Sequence, residues 1–177
     1  MTGFTQPVPS DTMIHAAGGF AIVSGIISAI GVVFLIAMFV LFATPLKELG
    51  FTFGLLNDIC VALQYLLTIP IAFALYRILL PHNPAWIRIA TLVGIAAMLA
   101  VIVLQLALIF GVLTFQRQVL WVSLAMIVGV GSWLVITGLV ARSTGRLPNS
   151  LMMSAVAVPY VGYPVWAFWL GRYLLDW

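Results

Sequence analysis

Asp58 is the residue in this sequence that most directly suggests chemistry, because it is an acid within a long, otherwise apolar stretch. A charged group at membrane depth is costly unless it is paired, neutralised or hydrated. In a helix with about 100° per residue, Tyr65 falls near the same stripe as Asp58, while Asn57 and Gln64 fall on a neighbouring stripe. The pattern predicts one polar flank that faces protein rather than lipid.

Gln105 extends this flank if the following helix runs antiparallel and returns to a similar depth. The predicted polar cluster therefore consists of Asp58, Asn57, Gln64, Tyr65 and Gln105. Such a cluster could bind a proton, a cation or a polar group of a ligand. The alternative is structural: Asp58 reaches interfacial water or pairs with Lys47 or Arg117, and the polar residues hold membrane helices together.

His15 and His82 are the two histidines, and both are predicted at helix ends on the same membrane face. Two histidines from adjacent helices are a ligand pair for haem iron. Because water reaches helix ends, we expect interfacial caps instead, and neither haem nor another cofactor. The sequence has no recognisable metal, nucleophile or phosphate-binding motif, so nothing favours an enzyme.

Small residues form a stripe on the first apolar segment, recurring at every fourth position: Ala17, Ala21, Gly25 and Ala29. This small-xxx-small pattern allows two membrane helices to approach closely. The partner is expected to be a helix of the same chain or of another subunit. Gly129 and Gly131 are candidates for the opposing groove.

Composition explains why these residues must be positioned by membrane helices. Only 6% of the 177 residues are charged, against roughly 25% in soluble domains, and 64% are hydrophobic, with a mean hydropathy of +1.25. The solvent of such a chain is lipid. The net charge of +3 comes from basic residues scattered singly, which excludes a nucleic-acid-binding patch.

Five stretches without charge are each long enough to cross a hydrocarbon core, which needs about 20 residues. They predict an all-α polytopic transmembrane bundle of five helices in one domain, 1–177, with a short N-terminal tail, 1–12. The expected helices are about 14–42, 51–80, 85–115, 119–142 and 149–175. The breaks include Thr44-Pro45 and the segment Pro81-His82-Asn83-Pro84.

Basic residues set the expected orientation, because cytoplasmic loops carry more Lys and Arg. If all five helices cross, the N-terminal side holds Arg77, Arg88, Arg142 and Arg146, and the other side holds Lys47, Arg117 and Arg172. This predicts the orientation of a multi-pass membrane protein. Its N-terminus is expected in the cytoplasm and its C-terminus outside.

Two local patterns carry a resemblance. After Asp58 comes Leu75-Tyr76-Arg77-Ile78-Leu79, and later a Trp-containing helix ends in a basic loop with Arg142, Gly145, Arg146, Leu147 and Pro148. In these features the chain resembles a family of uncharacterised bacterial multi-pass inner-membrane proteins. The resemblance implies a helical membrane fold and a bacterial inner membrane, and it implies no reaction.

Two function classes follow from the sequence. Short loops, packing-type helices and the lack of a site motif favour a non-catalytic subunit or assembly partner of a larger membrane complex, or a homo-oligomer. The alternative is a small transporter, or a bundle that binds a ligand or a proton at the polar cluster around Asp58.

Overall fold

A computed structural model describes residues 10–145 and 162–177, and every regular element within them is helical. The elements are α1 (Asp11–Phe42), α2 (Lys47–Leu79), α3 (Pro84–Ile109), α4 (Phe115–Leu124), a π-helical segment (Ala125–Val130), α5 (Gly131–Thr144) and α6 (Gly162–Leu175). Because α4, the π segment and α5 continue one another, the described chain has four helices long and apolar enough to cross a membrane, and one shorter helix. This confirms the predicted all-α membrane bundle.

The outer surface of the bundle carries large apolar side chains. Leu92 is 70% exposed, Val103 is 63% exposed and Val33 is 62% exposed. In water, contiguous apolar surface of this kind leads to association or aggregation. Against acyl chains it is the expected exterior.

Helix α2 begins earlier than the sequence analysis predicts. Its first turn contains Lys47 and Glu48, with the acidic side chain favourably placed at the positive end of the helix dipole. The predicted start near residue 51 is therefore wrong by about one turn. As a result, Asp58 lies eleven residues, or about 16 Å, inside the helix.

The junction between α3 and α4 also differs from the predicted bounds of 85–115 and 119–142. Helix α3 ends after Ile109, where Gly111 adopts a left-handed conformation (φ = 71°) and the Val112 N–H donates to the Ala107 carbonyl at 2.8 Å. This is the Schellman arrangement that terminates helices. Since the turn Phe110–Thr114 is almost wholly apolar, the absence of charge did not reveal it.

Neighbouring helices pack in the order α6, α1, α2, α3; α3 then packs on α4, the π segment and α5, and α5 also contacts α2. Among the described residues, the backbones of α1 and α4 do not come within 8 Å of each other, and neither do those of α5 and α6. The side chains of α1 and α4 line a cavity that lies over α2 and opens between these two helices. We call this opening the lateral groove; α2 forms its floor.

The small-residue stripe of α1 packs against α6 of the same chain. A Cβ at Gly18 would lie 2.9 Å from the Gly171 carbonyl oxygen, and one at Gly25 would lie 3.3 Å from the Ala167 Cβ. Ala17, Ala21 and Gly25 are buried, whereas Ala29 is exposed. The small residues let the backbones of α1 and α6 approach closely.

The glycines predicted to oppose α1 lie elsewhere. Gly129 packs against α3, where a Cβ on this glycine would overlap the Ala97 side chain. At Gly131 a Cβ would meet only its own segment, with the Met126 carbonyl oxygen at 3.4 Å. The predicted pairing of the stripe with Gly129 and Gly131 is thus wrong, because α6 packs on the stripe and Gly129 packs on α3.

Helix α6 runs antiparallel to α1. Gly171, near the end of α6, lies beside Gly18, and Pro164, near its start, lies beside Gly25. Helix α6 therefore ends at the face of the bundle where α1 begins, which we call the N-terminal face. This contradicts the predicted placement of the two termini on opposite faces, which assumed that the segment 149–175 crosses the bilayer completely; its part before Gly162 lies outside the described residues.

Candidate functional site

Asp58 lies on the floor of the lateral groove and is 9% exposed. It lines two adjoining cavities of about 420 and 520 Å³. The cavities share Met38 from α1, Gly54 and Asp58 from α2, and Phe115 from the start of α4. The carboxyl group consequently faces the space between α1 and α4, not the lipid-facing side of α2.

Three amide side chains line the smaller of these cavities together with Asp58: Asn57, Gln105 and Gln118. Gln118 Nε2 donates a hydrogen bond to Gln105 Oε1 at 2.6 Å, and both residues are buried. The groove thus brings Asp58, Asn57 and Gln105 of the predicted cluster to one cavity.

Gln118 is a member of this site that the sequence analysis missed. The predicted bounds, 85–115 and 119–142, place Gln118 between two helices, whereas α4 begins at Phe115. In a helix that begins at Phe115, Gln118 lies about one turn after the start, and its side chain faces Gln105. The available signal in the sequence was the presence of two polar residues, Gln105 and Gln118, on either side of a short apolar turn.

Gln64 and Tyr65 lie deeper along the same floor. A narrow cleft lined by Asn57, Gln64 and Tyr65 continues the groove beyond Asp58. Tyr65 also lines a third cavity, of about 500 Å³, together with Tyr163 and residues of the π segment. The four predicted residues of α2 therefore follow one path along that helix, with Gln105 of α3 beside Asp58, but Gln64 and Tyr65 do not share the cavities that contain Asp58.

A buried group of hydroxyls joins three helices at the depth of Gln64; we call it the Tyr163 cluster. Tyr163 Oη lies 2.5 Å from Ser24 Oγ of α1 and is hydrogen-bonded to Thr68 Oγ1 of α2. Thr68 Oγ1 donates to the Gln64 carbonyl at 2.7 Å. Tyr163 therefore donates to Thr68 and accepts from Ser24, so each hydroxyl proton has an acceptor.

Aromatic rings fill the space beside the Tyr163 cluster, on its N-terminal-face side. The Trp133 and Trp166 rings pack edge to face with centroids 6.2 Å apart, and the Tyr163 and Trp166 centroids are 5.5 Å apart. Trp133 is completely buried and Trp166 is 4% exposed. The polar end of the groove near Asp58 is thus separated from the N-terminal face by a packed aromatic layer.

Neither predicted ion pair of Asp58 forms. Lys47 lines the larger cavity together with Asp58, and Arg117 is exposed. In the part of the chain that the structure describes, no basic nitrogen lies within 4.0 Å of the Asp58 carboxylate; the ion pair found there joins Arg172 and Asp176. The groove therefore presents one acid without a cationic partner among these residues.

His15 and His82 are both exposed at the N-terminal face, at the start of α1 and in the turn after α2. Within residues 10–145 and 162–177, no three His, Cys, Asp or Glu side chains group as metal ligands would.

No protein-family model, no curated protein and no solved structure matches this chain. The resemblance to uncharacterised bacterial inner-membrane proteins stays a prediction.

Proposed function

We propose that this chain is a small membrane transporter or ligand-binding bundle whose site is the part of the lateral groove around Asp58. The observation that carries the proposal is that Asp58, a residue only 9% exposed, has a carboxyl group with no hydrogen-bond or ion-pair partner among the described residues. An unpaired charge in apolar surroundings is costly, and a bound proton or cation removes that cost.

The shape and lining of the groove support the same function. Sites for small ligands are typically clefts of about 300–1,000 Å³, lined by apolar side chains with a few convergent polar groups. The two cavities at Asp58 have about 420 and 520 Å³, and their walls are mostly apolar. Asp58, Asn57 and the Gln105–Gln118 pair are the convergent polar groups.

We also propose that the N-terminal face is cytoplasmic and that the membrane is a bacterial inner membrane, as the family resemblance implies. With α6 ending at the N-terminal face, Arg77, Arg88, Arg142 and Arg172 belong to that face, while Lys47 and Arg117 belong to the other. Four basic residues against two favour a cytoplasmic N-terminal face. Asp58 then lies in the half of the bundle nearer the outside.

Modification by a hydrophobic carbodiimide tests whether small solutes reach Asp58. A protonated carboxyl adds across a C=N bond of dicyclohexylcarbodiimide, and the product rearranges to a stable N-acylurea that peptide mass spectrometry locates. We expect an adduct on Asp58 in the purified protein in detergent. Absence of this adduct in folded protein would contradict the proposed site.

A pair of glycine variants provides the control. Gly54 lines both cavities at Asp58, so Gly54→Leu should fill them and suppress the adduct. Gly19→Leu adds the same side chain where nothing lies within 4 Å of its Cβ, so the adduct should persist. Both variants are first compared with the natural chain for monodispersity and melting temperature. If Gly54→Leu is folded and labels like the natural chain, the groove does not provide the access.

The subunit hypothesis is tested separately. The small-residue stripe that suggested a docking surface is covered over most of its length by α6, so it no longer requires a second protein. A subunit role predicts stoichiometric partners after purification in mild detergent. It also predicts that a bulky replacement of Ala29, the exposed member of the stripe, releases them.

A further inference from the structure

We infer that the ligand of this groove is a lipophilic organic cation carrying a single positive charge, and that it enters sideways from the bilayer. The inference rests on the proposed function and specifies its substrate class. It is carried by three features of the groove: one unpaired acid, an aromatic lining beside it and an opening between α1 and α4.

The charge of the ligand follows from Asp58. This carboxyl group is the acidic residue that lines the two cavities, and it has no cationic partner within 4.0 Å among the described residues. A single carboxylate in low-dielectric surroundings attracts one positive charge and repels anions. Lys47 also lines the larger cavity, but it is exposed and its ammonium nitrogen lies more than 4.0 Å from the Asp58 carboxylate.

The apolar body of the ligand follows from the lining. Phe42, Phe51 and Phe115 line the same cavity as Asp58, and the rings of Phe42 and Phe51 pack edge to face with centroids 5.1 Å apart. Aromatic rings attract organic cations through their quadrupoles, and they bury apolar substituents at the same time. An acid next to aromatic rings therefore suits an ammonium or phosphonium ion with apolar groups.

Access from the bilayer follows from the spacing of the helices. No Cα of α1 lies within 8 Å of a Cα of α4 among the described residues, and side chains of both helices line the cavity between them, including Phe39, which is 61% exposed. On the floor, Gly54 lines both cavities, and a Cβ there would lie 3.0 Å from the Met38 sulfur, so glycine lets the Met38 side chain pack closely on α2 at this level. A solute dissolved in lipid reaches Asp58 between these two helices without passing the aromatic layer.

The test uses two probes of the same shape and opposite charge. Tetraphenylphosphonium and tetraphenylborate are added to the purified natural chain in detergent, and the rate of carbodiimide modification of Asp58 is measured for each. We expect the phosphonium ion to slow the modification about tenfold at saturation, as a buried charge pair requires, and the borate ion to leave the rate unchanged. Equal protection by both ions would overturn the inference, because occupancy would then depend on apolarity alone.

Equilibrium binding of tetraphenylphosphonium provides a second readout. Asp58→Asn should weaken binding about thirtyfold or more, as expected when one member of a buried charge pair is removed. Phe115→Leu should weaken it about threefold or more through loss of an aromatic face. Gly19→Leu should bind like the natural chain. Unchanged affinity in a folded Asp58→Asn variant would overturn the inference.

Failure of the inference is distinguishable from failure of the proposed function. If Asp58 forms the carbodiimide adduct and neither ion protects it, the groove is accessible but the cation class is wrong. If Asp58 forms no adduct and no phosphonium ion binds, both proposals are wrong.

Discussion

At the residue scale, local periodicity identified side chains that share a helix face but not those that meet across the fold. Asp58 and Asn57 are adjacent on α2, and the predicted return of α3 placed Gln105 near them. The Tyr163 cluster has no such local signal, because Ser24 and Tyr163 are 139 residues apart in sequence. Single hydroxyls in apolar helices gave no indication of which ones would pair.

Tyr163→Phe is predicted to lower the free energy of unfolding by about 1–2 kcal/mol, the upper part of the range for polar contacts between membrane helices. The reason is that the substitution leaves the Ser24 and Thr68 hydroxyls without their shared partner. Unfolding by a denaturing detergent, followed by circular dichroism, measures the change. Tyr76→Phe is the matched control, since Tyr76 is half-buried on α2 and its hydroxyl makes no hydrogen bond within the described residues. An equal loss of stability in both variants would contradict a role for the Tyr163 hydroxyl.

At the element scale, helix existence was predictable and helix interruptions were not. Lack of charge identified the apolar segments, because a lipid-facing helix excludes charged residues. The π segment Ala125–Val130 contains neither proline nor a charged residue, so composition did not reveal it. Within this segment Gly129 contacts Ala97 of α3. This contact, between segments distant in sequence, lets the backbones of α3 and the π segment approach closely.

Gly129→Ala is predicted to destabilise the bundle by about 1–3 kcal/mol, the usual cost of overpacking. Its new Cβ would overlap the Ala97 methyl group, which cannot rotate away, so the backbones of α3 and the π segment must separate. The same unfolding measurement tests this. Gly131→Ala is the control two residues later, because its Cβ would meet its nearest atom at 3.4 Å. The interpretation is wrong if Gly131→Ala is the more damaging of the two.

At the scale of the whole molecule, the sequence predicted the membrane bundle but not the direction of its last helix. Counting apolar stretches assumes that each one crosses completely, and this assumption placed Arg172 on the wrong face. Contacts between Gly18 and Gly171 reverse that assignment. The groove between α1 and α4 was equally inaccessible to the sequence, because it depends on how helices from distant parts of the chain pack.

The topology is testable by cysteine labelling in sealed vesicles, with Cys60→Ser as the background since Cys60 is the single cysteine. Ser10→Cys and Asp176→Cys should react with an impermeant maleimide from the same side. Thr44→Cys, in the turn between α1 and α2, should react from the opposite side. Labelling of Asp176→Cys together with Thr44→Cys would contradict the direction of α6.

The most direct measurement of the central claim compares two neighbouring positions of α2 in the Cys60→Ser background. Asp58→Cys faces the groove, whereas Ile59→Cys, one residue later, lies on an exposed and lipid-facing part of the helix. With a small cationic methanethiosulfonate reagent, we expect rapid modification of Asp58→Cys and slow modification of Ile59→Cys. The reason is that the cationic reagent meets a reactive thiolate only where a polar cavity admits both. Faster modification of Ile59→Cys would show that Asp58 does not face a solute-accessible groove.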